Sequence, residues 1–369
     1  MPGGAPGGGG GGGIPGGASA AGVGASGGAG APGPAPATGL AARTATAVNG
    51  GRTAVPVPPR PGHGRGSRFA AWAELLRLPA LFTVPGDVLA GSATTPARPG
   101  PRTLWAIGSS LCLYEAGMVL NDWADRAEDA VERPHRPLPS GRVHPAAALT
   151  AACALTAAGL ALAARSGRPA LAVAAPLAAT VWAYDLGLKR TPAGPAAMAT
   201  ARALDLLLGA AATSGRVRPA LPSAALLGTH TLALTAVSRH ETQGGAPLTP
   251  LTALATTAAL TRLLGRGHTR SKVQLSISES QLPSLKSGAR AALPAACALA
   301  YAATAARPYL HATLNPSPPL TQRAVVGGIR ATIPLQAALC ARSGAPVRAL
   351  ITATLAPLAA RFAKRVSVT

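Results

Sequence analysis

An all-α bundle of membrane-spanning helices is the fold class this sequence predicts, and three observations predict it. Apolar residues make up 48% of the 369 positions, yet aromatics supply only 3%, so the bulk is Ala, Leu and Val. Soluble cores of this length rely on larger side chains. From Ala71 onward, apolar runs recur with short polar breaks between them. The net charge of +22 is spread as single arginines between those runs, not gathered on one face with aromatics. That is the pattern of loop and headgroup contacts, and it argues against nucleic acid. Inside a bilayer the backbone must satisfy its own polar groups, so the spans are helices.

Taken in order, residues 1–66 form a Gly/Ala/Pro-rich arm that cannot bury enough apolar surface to order itself, and it is expected to be disordered. Its first residues lack a basic region and an apolar run, so no signal peptide is expected. The transmembrane domain then covers 67–369, with about nine spans around a central cavity. They are placed at 75–95, 103–122, 145–164, 168–186, 195–213, 222–240, 248–265, 291–306 and 346–363. Several fall short of the roughly 20 residues that a spanning helix wants. A further run, 322–342, carries Arg323 and Arg330 and reads as an interfacial helix or part of the last span. The polar, Ser-rich stretch 266–290 reads as an extramembrane loop insertion. Cys112, Cys153, Cys297 and Cys340 show no ligand spacing and read as small buried apolar groups.

Charge is most informative just after the second span. Of only 12 carboxylates in the chain, five lie between residues 122 and 132. At about 3.6 residues per turn, Asn121, Asp125, Asp129 and Glu132 share a helical stripe, flanked by Asp122 and Glu128. Like charges stacked this way are destabilising unless a cation sits among them. A hard divalent ion such as Mg²⁺ suits these oxygens, because it is held by one or two carboxylates plus a substrate phosphate. Arg133 and Arg136 follow in a loop stiffened by Pro134, Pro137 and Pro139. Carboxylates for Mg²⁺ beside fixed guanidinium groups is the chemistry a diphosphate demands. Tyr184 to Thr191 closes the fourth span and Ser238 to Gly245 the sixth. All three segments follow even-numbered spans, so they emerge on one membrane face and can build one site. Arg60, Arg65 and Arg68 beside the first span favour a cytoplasmic location for that face, in the cell (plasma) membrane.

The pattern Asn121-Asp122-x-x-Asp125-x-x-x-Asp129, followed by Arg136-Pro137-Leu138-Pro139-Ser140-Gly141, closely resembles the first aspartate motif of the UbiA family of intramembrane prenyltransferases. The resemblance covers about residues 72–365, leaving the N-terminal arm and the 266–290 insertion outside it. It implies a Mg²⁺-dependent enzyme that moves a prenyl group from a polyprenyl diphosphate to an aromatic or other lipophilic acceptor. The lipid bilayer is its setting, and no protein partner is indicated. Residue by residue, the resemblance implies that Asn121, Asp125 and Asp129 hold the metal with help from Glu241. It implies that Arg77, Arg136, Tyr184, Lys189 and Arg190 contact the diphosphate, and that Asp125, Asp129 and Lys189 are catalytic.

The chain departs from the family around Glu241. The second motif usually offers two aspartates four apart, but Ser238 and Thr242 stand there, and Glu241 is the lone acid. This reduced motif also supports an alternative, a non-catalytic protein that binds or transports prenyl lipids. Within the spans, Asp87, Glu115 and Asp205 are costly to bury and are functional candidates. Arg202, three residues before Asp205, is placed to neutralise it.

Overall fold

The computed structural model describes residues 65–241, 244–274 and 285–366. Apart from its last two residues, the predicted arm lies outside this set, as do Thr242 and residues 275–284. Among the described residues every regular element is helical: α1 (Arg65–Leu75), α2 (Val84–Ala93), α3 (Pro101–Ala124), α4 (Arg126–Glu132), α5 (Pro145–Ser166), α6 (Arg168–Leu186), α7 (Gly194–Ser214), α8 (Leu221–Ser238), α9 (Leu248–Gln274), α10 (Leu285–Leu314), α11 (Pro318–Arg342) and α12 (Pro346–Val366). Proline in the first turn of α3, α5, α6, α7, α8 and α11 supplies a preset φ where no amide hydrogen is needed.

Six segments among the described residues are long and apolar enough to cross a membrane: α3, α5, α6, α7, 218–238 and α11. All nine expected spans have helical counterparts, but two expectations need correction. The first span is not continuous. α1 stops at Leu75, Arg77 takes a left-handed backbone (φ 44°), a 3₁₀ turn covers Leu78–Thr83, and α2 follows. Pro79 and Pro85 explain the break, since neither can donate to a helical ladder. The 322–342 run is neither interfacial nor part of the last span. It is α11, a separate helix and the most buried of the six, with Arg323 and Arg330 on its exposed side. Gly327 and Gly328 allow this burial, because a Cβ at either would lie under 3 Å from Pro308 or Tyr309 of α10. The 266–290 stretch is helical wherever it is described, as the end of α9 and the start of α10.

Ala and Gly do the packing work that large side chains do elsewhere. At the α2–α7 crossing, a Cβ on Gly91 would stand 1.8 Å from the Leu206 carbonyl oxygen, and one on Gly209 would stand 2.1 Å from that of Val88. The backbones therefore touch, which dispersion favours and which only glycine permits. Two contacts pin the ends of the bundle: the Gly245 amide donates to the Pro316 carbonyl at 2.8 Å, and Arg348 Nη1 donates to the Ser92 carbonyl at 2.5 Å. The first lies at the end where α3, α6 and α8 finish, the second at the opposite end.

Candidate active site

The acidic stripe sits where α3 ends. Helical hydrogen bonding carries on through the junction, with the Asp125 amide donating to the Asn121 carbonyl at 3.0 Å and the Asp129 amide to Asp125 at 2.8 Å. Yet Asp125 itself (φ −90°, ψ 4°) bends the chain between α3 and α4. Glu128 and Asp129 then occupy the first turn of α4, where the helix dipole favours negative charge.

Asp122, Asp125, Glu128 and Asp129 each have a cation, and Glu132 does not among the described residues. Asp122, almost fully buried, meets Arg77 Nη2 at 2.6 Å and Arg136 Nη1 at 3.6 Å. Asp129, also buried, meets Arg136 Nη1 at 2.7 Å and Arg133 Nη1 at 3.7 Å. Asp125 is held by Lys189 Nζ at 2.8 Å and Arg190 Nη2 at 3.1 Å, and Arg190 also reaches Glu128 at 3.4 Å. The left-handed backbone at Arg77, costly for a residue with a side chain, aims its guanidinium across 45 residues of sequence onto Asp122. Arg239 donates to the Thr191 carbonyl and ties the end of α8 to the Lys189 loop.

Segments after α3, α6 and α8 thus converge, as their parity predicts. Arg77, Arg136, Lys189 and Arg190 meet the acidic stripe directly. Tyr184 lines the cavity beneath it. Glu132 is exposed and stands apart. Glu241 follows α8 in a half-buried turn. Burial raises its carboxyl above the usual range, and Arg133 nearby opposes that shift. The Ser238 hydroxyl donates to its own helix at the Thr235 carbonyl, 2.9 Å away. Two further polar groups belong to the site. Asp122 is the buried anchor for Arg77 and Arg136, and Asp185 accepts a hydrogen bond from Asn121 Nδ2 at 3.0 Å. Asp122 was legible as the second residue of its motif, whereas the sequence assigned Asp185 no role.

Below this collar lies a cavity of about 250 Å³. Arg77, Asn121, Tyr184 and Asp185 form its mouth, Leu113, Leu177, Val181 and Met198 are among its apolar walls, and Arg202 and Asp205 lie at its inner end. The inner acids correct another expectation. Arg202 pairs with Asp87 at 2.9 Å and not with Asp205, whose Oδ2 accepts from Ser110 at 2.7 Å. Gln336 donates to Asp87 at 2.6 Å. Glu115 is buried with neither carboxylate oxygen hydrogen-bonded among the described residues, and it does not line the cavity.

The donor chemistry at the mouth fits Mg²⁺. Asp122, Asp125 and Asp129 offer hard oxygens, and donation by Asn121 Nδ2 leaves its Oδ1 as the end that can meet a cation. No cluster of three or more His, Cys, Asp and Glu side chains is already gathered for an ion among the described residues. The carboxylates are held by arginine and lysine, the groups a diphosphate also seeks.

Comparison with known proteins agrees with this arrangement. The profile of the UbiA prenyltransferase family matches residues 80–268. Digeranylgeranylglyceryl phosphate synthase of Methanopyrus kandleri is 35% identical over 127 residues, which is 33% of this chain and 45% of the relative. The same-named protein of Ignicoccus hospitalis is 33% identical over 148 residues, covering 40% of this chain and 48% of the relative. The chain thus spans under half the length of these curated relatives. Among solved structures, a UbiA homolog from Archaeoglobus fulgidus bound to GPP and Mg²⁺ shares the fold, with a TM-score of 0.52 and 19% identity over 75% of this chain and 99% of that one. With the motif, the helical bundle and the profile match in agreement, the chain belongs to the UbiA prenyltransferase family.

Proposed function

We propose that this protein is an integral membrane prenyltransferase that moves a prenyl group from a prenyl diphosphate to a lipophilic acceptor, with Mg²⁺ as cofactor. The observation that carries the reading is the collar of Arg77, Arg136, Lys189 and Arg190 on Asp122, Asp125 and Asp129, directly above an apolar cavity. A diphosphate and a hydrocarbon chain need these two environments side by side. The names of the relatives and the GPP and Mg²⁺ in the neighbouring structure support the donor and the metal.

Asn121, Asp125 and Asp129, with Glu241 from α8, are the residues proposed to hold Mg²⁺. The bound ion supplies positive charge to the diphosphate oxygens. Arg136, Lys189 and Arg190 add charge that is fixed before the reaction begins, and such groups stabilise the leaving diphosphate without reorganising. The apolar walls keep water from the allylic cation until the acceptor attacks. The site is proposed to face the cytoplasm from the plasma membrane.

The lone Glu241 favours a second reading, a protein that binds the prenyl diphosphate without turnover. One experiment separates the two. Membranes containing the protein are incubated with labelled prenyl diphosphates and native lipid extract, and both bound label and released diphosphate are measured. Release with a labelled lipid product supports the enzyme, and retention without release supports the binder. Asp125→Ala with Asp129→Ala should abolish EDTA-sensitive binding and turnover while leaving the helix intact. Unchanged binding in that double variant would remove the site from consideration.

A further inference from the structure

Asn121 offers a metal one useful atom, yet its side chain has two ends of nearly the same shape. The carbonyl Oδ1 can accept or ligate, whereas the amide Nδ2 can only donate and brings no lone pair to an ion. Which end meets the cation is decided by what the other end touches. That partner is Asp185 on α6, whose Oδ1 lies 3.0 Å from Asn121 Nδ2. A carboxylate accepts and does not donate, so the pairing holds in one amide orientation only. Asp185 is 4% exposed, Asn121 is half-buried, and both line the cavity mouth. Packing sets the pair in register. Gly117 lies one turn before Asn121 on α3, and Val181 lies one turn before Asp185 on α6. A Cβ on Gly117 would stand 2.9 Å from Val181 Cγ1 and 3.7 Å from Asp185 Oδ2. The bare glycine therefore lets α6 approach α3 at the level where the two polar groups meet.

We infer that Asp185 is a positioning residue for Asn121, fixing its amide so that Oδ1 is the atom presented to Mg²⁺. The inference rests on the prenyl-transfer reading, in which Asn121 is a metal ligand. It assigns Asp185 no contact with the ion or the substrate. The work of Asp185 is done before either arrives, because an amide already turned the right way has less freedom to lose on binding. Removing the partner that orients a ligand typically weakens metal binding about 10- to 100-fold. Such support counts for more here than in a site rich in acids, since the 238–245 segment contributes only Glu241.

The test uses the full chain in lipid nanodiscs with labelled geranyl diphosphate and no acceptor. Retained label is read as Mg²⁺ is titrated, and the melting temperature of each variant is measured beside it. Wild type is compared with Asp185→Asn, which keeps an accepting oxygen for Nδ2, with Asp185→Ala, which does not, with Asn121→Ala, and with the double alanine variant. The Mg²⁺ concentration for half-maximal retention should rise about tenfold or more in Asp185→Ala and much less in Asp185→Asn. In the Asn121→Ala background, Asp185→Ala should add nothing, because a residue that acts through Asn121 has no further effect once Asn121 is gone. A wild-type titration in Asp185→Ala overturns the inference, and so do additive effects in the double variant. It is equally overturned if Asp185→Ala lowers the melting temperature and loses label even at saturating Mg²⁺, because the pair would then only tie α6 to α3. If wild type itself retains no label at any Mg²⁺ concentration, the prenyl-transfer reading fails first and takes this one with it.

Discussion

Single residues in this protein are read best through their partners. Lys189 illustrates this, because a lysine after an apolar span is more often a snorkelling anchor than a ligand. Here its side chain is 11% exposed and its ammonium lies 2.8 Å from Asp125, so it is turned into the site and away from the headgroups. Lys189→Ala should lower turnover on the order of 10²-fold, as expected for lost charge at a reacting centre. Binding of the matching prenyl alcohol, which lacks the diphosphate, should barely change. Equal and slight losses in both assays would make Lys189 an anchor after all. Glu241 invites a different measurement. It is the one acid in the 238–245 segment that closes α8, and hard cations bind more weakly as carboxylates are withdrawn. Glu241→Gln should raise the Mg²⁺ concentration needed for half-maximal geranyl diphosphate retention. A titration superimposable on wild type would place Glu241 outside the metal shell and leave the stripe on α3 and α4 to act alone.

At the scale of elements, small residues decide where helices touch. The α2–α7 crossing depends on Gly91 and Gly209, and neither can gain a methyl group without displacing backbone. Gly209→Ala should therefore destabilise the bundle by about 1–3 kcal/mol or more despite the better helix propensity of alanine. Gly265→Ala, with nothing within 4 Å of the added atom, should be neutral or stabilising. Apparent melting temperatures of the two variants in one detergent compare them directly, and similar values would mean the crossing tolerates rearrangement. The same feature explains what could be read from the sequence. Apolar runs located α3 and α5 to α8 to within a few residues, because length and hydropathy alone define a span. They missed the break at Arg77, since a run of apolar residues hides the backbone consequence of Pro79 and Pro85. They also misjudged α11, because Arg323 and Arg330 suggested an interface while Gly327 and Gly328 were burying the other face. The candidate site divides in a similar way. Asp122, Asp125 and Asp129 are local in sequence, so their spacing announced them. The pairings of Arg77 with Asp122 and of Arg202 with Asp87 join segments 45 and 115 residues apart, and only folding brings them together.

For the whole molecule, the alternation of helix direction is the property on which every functional statement depends. The loops 125–144 and 187–193, with residues 239–241 and 244–247, must share one membrane face, whereas Gly215 to Ala220 between α7 and α8 must lie on the other. The Gly245–Pro316 and Arg348–Ser92 contacts agree, each joining loops or helix ends that parity assigns to one face. Labelling from one side can decide it. The four native cysteines lie within the helices of the bundle, so a background without them is needed before new ones are placed. Ser140→Cys and Gly187→Cys sit in exposed loops at the site end, and Arg216→Cys sits in the exposed loop at the far end. In sealed, right-side-out vesicles, a membrane-impermeant maleimide should modify Arg216→Cys at once. It should reach the other two only after the membrane is permeabilised, if Arg60, Arg65 and Arg68 before the first span place the site in the cytoplasm. The reverse pattern would keep the fold and the site but move the chemistry to the outer face. Ser140→Cys and Gly187→Cys labelling from opposite sides would break the parity itself. The collar of Arg136, Lys189 and the aspartates could then not form, and the proposed site would fall with it.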